Sequence, residues 1–86
     1  MGTPRLRPER LPKKLLQIRT ALGLSQTEML HQLGVQGFIG YKRISDYELG
    51  KGEPSSIVLL RYARVAGIQM ETLVDDKLDL PKRLTK

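Results

Sequence analysis

The sequence contains no cysteine, which excludes disulfides and thiolate-ligated metal. It has no tryptophan, one phenylalanine and three tyrosines, so the core is expected to be aliphatic, built from Leu, Ile, Val and Ala. Histidine occurs once, as His31, on the polar side of a predicted helix, where it reads as a solvated side chain rather than a catalytic base. The acidic residues are scattered without metal-ligand spacing. Gly50-Lys51-Gly52 is too short for a phosphate-cradling loop and leads into no matching helix motif. No catalytic residue, metal or cofactor is expected, and the chain does not read as an enzyme. No apolar run approaches the roughly 18 residues that span a bilayer. The first ten residues lack the apolar centre of a signal peptide, so a cytoplasmic location is expected.

Positive charge is plentiful. Fifteen Lys and Arg face nine Asp and Glu in 86 residues, a net charge of +6, which favours a polyanionic partner. The length suits a single domain. Residues 1–10, with Pro4, Pro8, Arg5, Arg7 and Arg10, read as a flexible basic arm. Residues 11–75 read as the folded domain. Residues 76–86 form a tail of mixed charge around Leu78, Leu80 and Leu84, apolar residues that could serve a partner or a second copy.

Within the domain the pattern is helical throughout, and no strand-like alternation appears, so the fold class is all-α with five helices. Leu11, Leu15, Ile18 and Leu22 form one face of a first helix from about Pro12 to Leu22. Ser25 and Glu28 make an S-x-x-E capping box that opens a second helix, with Met29, Leu30 and Leu33 inward. Residues 36–40, with Gly37 and Gly40, read as an extended turn before a third helix from Tyr41 to Leu49. Ser55 or Ser56 caps a fourth helix reaching Ala66, with Ile57, Leu60, Ala63 and Leu59 expected inward. A short fifth helix fits Gln69–Val74.

Ordered along the chain are Leu24-Ser25-Gln26, Leu33-Gly34-Val35, Ile44-Ser45-x-x-Glu48-x-Gly50, Lys51-x-x-Pro54-Ser55, Leu59-Leu60-x-x-Ala63 and Gly67-Ile68. From about Leu15 to Val74 this set resembles the lambda-repressor-like helix-turn-helix family, the Xre or Cro/CI type. The resemblance implies a DNA-binding transcriptional regulator, expected to be a repressor, that reads double-stranded DNA with its third helix, commonly as a homodimer. It implies that Gln26, at the positive end of helix 2, contacts a phosphate. It makes Tyr41, Lys42, Arg43, Ser45 and Asp46 the outward face of the recognition helix, with Arg43 and Lys42 able to donate to guanine. Lys51 would meet phosphate from the following loop. Arg19 and Glu48 are implied as a structural pair locking helix 3 to helix 1.

Two departures stand out. The chain between Val35 and Ile44 is longer than the family usually has, which leaves Phe38 either near DNA or over the core. Leu30 occupies a helix-contact position where the family prefers a small residue. Two other readings share the fold: the antitoxin of a toxin–antitoxin pair, and a protein-interaction adaptor.

Overall fold

The computed structural model describes residues 7–84, which form five helices and no strand: α1 Leu11–Ala21, α2 Gln26–Leu33, α3 Tyr41–Leu49, α4 Ser56–Ala66 and α5 Met70–Val74. None of these helices is long and apolar enough to cross a membrane.

The helix starts follow from local chemistry. Ser25 accepts from Glu28 N at 3.0 Å while the Glu28 carboxylate accepts from Ser25 N at 2.8 Å, completing the capping box. Ser55 caps α4 through Val58 N. The start of α1 has no cap of its own: Arg10 takes the N-cap position with no side-chain hydrogen bond. A carboxylate distant in sequence supplies it. Asp76 accepts from Glu9 N at 2.9 Å and Arg10 N at 3.0 Å. At the other end of α2, Gly34 adopts φ +72°, and a Cβ there would lie 2.9 Å from Arg61 Nη1. That guanidinium donates to the carbonyls of Leu33 and Gly34, closing the helix end from α4.

Leu11, Leu15, Ile18 and Leu22 of α1 meet Met29, Leu30 and Leu33 of α2, Ile44 and Tyr47 of α3, five residues of α4 and Leu73 of α5 in one buried cluster. α1 packs on α3 and α5, α2 on α3 and α4, and α4 on α5. The departing residue Leu30 is accommodated inside this cluster.

Two expectations need correction. The buried face of α4 is Val58, Leu59, Tyr62, Ala63 and Ala66, whereas Ile57 is 59% exposed and Leu60 only half-buried. Residues 57–60 are all apolar, so spacing alone did not fix the rotation of the helix. The core is not purely aliphatic either, because Tyr62 and Tyr47 lie within it. Lys14, which is not part of the Leu11, Leu15, Ile18, Leu22 stripe, is also buried, at 1% exposed. Its ammonium donates to the carbonyls of Thr72 at 2.8 Å and Asp75 at 2.9 Å, at the end of α5 where orphan carbonyls favour a cation. Burial holds its pKa below the ordinary lysine value, with Arg10 adding to the effect.

The tail lies back along α1. Arg10 donates to the backbone carbonyl of Asp76 at 2.7 Å and pairs with the Asp79 carboxylate, while Leu80 and Leu84 pack against the core. Those two leucines are thus used within the chain, and of the three expected partner-facing residues only Leu78 is exposed. The Arg5 portion of the N-terminal arm lies outside the described residues. Arg7 sits 3.7 Å from Glu53.

Candidate nucleic-acid interface

The enlarged turn before α3 is built on Val35. Its carbonyl accepts from both Phe38 N, at 2.9 Å, and Ile39 N, at 3.1 Å. Val35 is buried and Ile39 packs on the core, so both ends of the turn are anchored. The extra residues enlarge the turn, and α3 starts at Tyr41 with Gly40 as N-cap.

α3 divides into two faces by helical periodicity. Ile44 and Tyr47 point into the core, and burial pushes the Tyr47 phenol pKa upward. Tyr41, Lys42 and Arg43 are exposed in the first turn. Lys42 and Arg43 form no ion pair among the described residues. Ser45 and Asp46 are half-buried, less outward than expected. Lys51 follows the Gly50 C-cap with its side chain exposed, and its backbone N–H donates to Asp46 O at 2.8 Å. Gly50, at φ +76°, comes close to the start of α1: a Cβ there would lie 3.5 Å from Pro12 Cγ.

Glu48 joins three helices. Arg19 donates to it through Nε at 2.6 Å and Nη2 at 3.0 Å, a two-pronged pair, and also donates to Leu24 O at 3.0 Å. The hydrogen bond to Glu48 raises the Arg19 pKa. Gln26, the first residue of α2, donates to the same carboxylate at 3.3 Å. The side chains of Arg19 and Glu48 are 17% and 5% exposed. Of the candidate residues, Arg19, Gln26 and Glu48 therefore form one cluster, Tyr41, Lys42 and Arg43 share the first turn of α3, and Lys51 stands beyond its far end.

Sequence reasoning left Phe38 open between core and surface. It is 87% exposed, and its neighbour Ile39 is the residue that packs on the core. No local spacing decided between the two, because Phe38 and Ile39 are adjacent apolar residues and the tertiary fold chooses which one packs inward. Among the described residues no group of three or more His, Cys, Asp or Glu is placed to hold a metal ion.

The family model described as Helix-turn-helix matches residues 15–73, most of the chain, and spans both the Arg19–Glu48 pair and α3. Neither the curated proteins nor the solved structures gave a match. With five helices, a capped α2 and an α3 whose inner face is locked while its outer face is cationic, the chain belongs to the lambda-repressor-like, Xre or Cro/CI-type helix-turn-helix family of DNA-binding transcription regulators.

Proposed function

We propose that the protein binds specific double-stranded DNA sequences by laying α3 in the major groove, and that it acts as a repressor by occupying its site. One observation carries the reading: the first turn of α3 presents Tyr41, Lys42 and Arg43 to solvent with no acidic partner among the described residues, while Ile44, Tyr47 and Glu48 hold the helix from behind. Recognition helices read base edges with N-terminal residues, and an unpaired Arg offers the two donors that guanine O6 and N7 accept. Gln26 and Lys51 flank this surface and are assigned to phosphates, which fix register without reading sequence. Gln26 already gives one hydrogen bond to Glu48. The second N–H of its amide is the one left for a phosphate oxygen. Ser45 and Asp46, half-buried, take the margin of the contact.

A single domain of this size offers a small interface, so the protein is proposed to bind as a homodimer on two half-sites roughly 34–36 Å apart. The test is selection of bound duplexes from a random pool at about physiological salt. A converging consensus with two half-sites supports the reading. Binding without consensus, or none, sinks it and brings forward the adaptor reading, because phosphate contacts alone give affinity but no sequence.

A further inference from the structure

Phe38 is the most exposed of the large hydrophobic side chains among the described residues, at 87%. Its position is nonetheless well defined. Val35 and Ile39 on either side of it hold the turn to the core, and the amides of residues 38 and 39 both bond to Val35 O. The ring is therefore held outward by an anchored turn, and no part of the described chain covers it. An aromatic ring left in water forgoes the burial energy that favours aromatic side chains in cores and interfaces.

The surroundings identify what would cover it. Phe38 lies three residues before Tyr41, within about 11 Å along the chain of the first residue of α3. Immediately beyond stand the exposed Lys42 and Arg43, which form no ion pair among the described residues. A Cβ placed on Gly37 or Gly40 would meet nothing within 4 Å, so the backbone beside the ring is bare and open to close approach. A protein partner would be expected to face a contiguous apolar patch. Here the neighbours along the turn are Gln36, Gly37 and Gly40, Ile39 being turned to the core. Then come exposed Tyr41, whose ring carries a hydroxyl, and two cations, so polar and cationic groups break up the apolar surface around the ring. The major groove has the complementary pattern: hydrogen-bonding edges and phosphates, with the C5-methyl of thymine as its one apolar group.

We propose that Phe38 is a specificity-determining residue that packs its ring on a thymine methyl group in the major groove, next to the bases read by α3. This rests on the reading of α3 as the recognition helix and adds to it a base contact from the turn.

The experiment uses the full chain and the consensus duplex from the selection above, with each thymine in turn replaced by deoxyuridine, which removes only the methyl. For the unsubstituted protein, one position in each half-site is expected to lose about fourfold in affinity, the worth of one buried methyl group. For Phe38→Ala, overall affinity for the consensus should fall about tenfold, scrambled duplexes should bind as before, and the loss at those symmetry-related positions should vanish. Phe38→Leu, which keeps an apolar side chain, should retain most of the sensitivity. Circular dichroism and thermal unfolding of Phe38→Ala should match the parent, because the side chain is almost wholly exposed.

Four outcomes overturn the proposal. Phe38→Ala could bind as the parent does. It could weaken consensus and scrambled duplexes alike. It could leave the deoxyuridine profile intact. It could change the sedimentation of the free protein, which would make Phe38 a contact between copies. A parent protein that selects no consensus defeats the recognition-helix reading itself, whereas a consensus indifferent to Phe38 defeats this proposal alone.

Discussion

Arg19 in α1 and Glu48 in α3 meet through two hydrogen bonds, at 2.6 and 3.0 Å, and Gln26 at the start of α2 adds a third to the same carboxylate. One largely buried carboxylate thus binds together the helices that would lie on DNA. A buried pair of this kind costs desolvation energy to form, so its net stabilisation is modest, yet removing one partner strands the other charge.

Arg19→Ala should therefore destabilise the protein by about 3 kcal/mol, because the Glu48 side chain, 5% exposed, would be left with Gln26 as its one hydrogen-bond partner among the described residues. Urea unfolding measures it. Duplex affinity should fall as well, since α3 loses its brace. A variant as stable as the parent would mean that the pair contributes nothing beyond its own desolvation cost.

Tyr62 gives the opposite expectation. Its ring is fully buried, and its hydroxyl has no hydrogen-bond partner among the described residues. Burial, reinforced by the Glu48 charge, pushes its pKa far above that of an ordinary phenol. Tyr62→Phe keeps the ring and removes the unsatisfied group, so stability should hold or rise by about 1 kcal/mol. A loss of 2 kcal/mol or more in thermal or urea unfolding would show that the hydroxyl is bonded in solution.

The acid limb of stability should depend on the tail. Backbone hydrogen bonds from residues 9 and 10 hold the Asp76 pKa below the ordinary carboxylate value of 3.8, and the hydrogen bond from Arg10 does the same for Asp79. A depressed folded pKa stabilises the fold above the unfolded value, and that contribution is lost as pH falls through the folded one. Stability should thus drop below about pH 4, and Asp76→Asn combined with Asp79→Asn should flatten the drop. Thermal unfolding between pH 2 and 7 reads it; identical acid limbs would remove these two carboxylates as its cause.

Much of this architecture is legible in the residues themselves. The stripe Leu11, Leu15, Ile18, Leu22 has one buried phase, and Ser25 with Glu28 marks a helix start by local chemistry alone. α4 was harder because Ile57, Val58, Leu59 and Leu60 offer two apolar faces, and the choice falls to tertiary partners. Lys14 and Asp76 were not legible at all. Each completes the backbone hydrogen bonding of a helix end far away in sequence, a pairing that no local spacing encodes. Within the candidate site, the division of α3 into inner and outer faces followed from periodicity. The exposure of Phe38 did not, because it depends on Ile39 rather than Phe38 taking the place against the core.

The sharpest contrast lies between Arg43 and Lys51. Both are exposed, so replacing either with Ala should leave helical content and stability unchanged. Arg43 stands in the first turn of α3, where a guanidinium reaches base edges. Arg43→Ala should cost about 1–3 kcal/mol on the selected site, little on scrambled duplexes, and relax the preference at one base pair. Lys51 lies just past the C-cap of α3, where an ammonium would meet phosphate. Lys51→Ala should weaken all duplexes alike and reduce the slope of log affinity against log salt by roughly one unit per bound protomer, since each neutralises one fewer phosphate. Titrations of both variants on selected and scrambled duplexes at several salt concentrations separate the two effects. If Arg43→Ala kept both affinity and base preference, α3 would not be reading DNA through its first turn. If Lys51→Ala changed base preference instead of salt slope, the α3–α4 loop would be the reading element, and the orientation of the domain on DNA would have to be reversed.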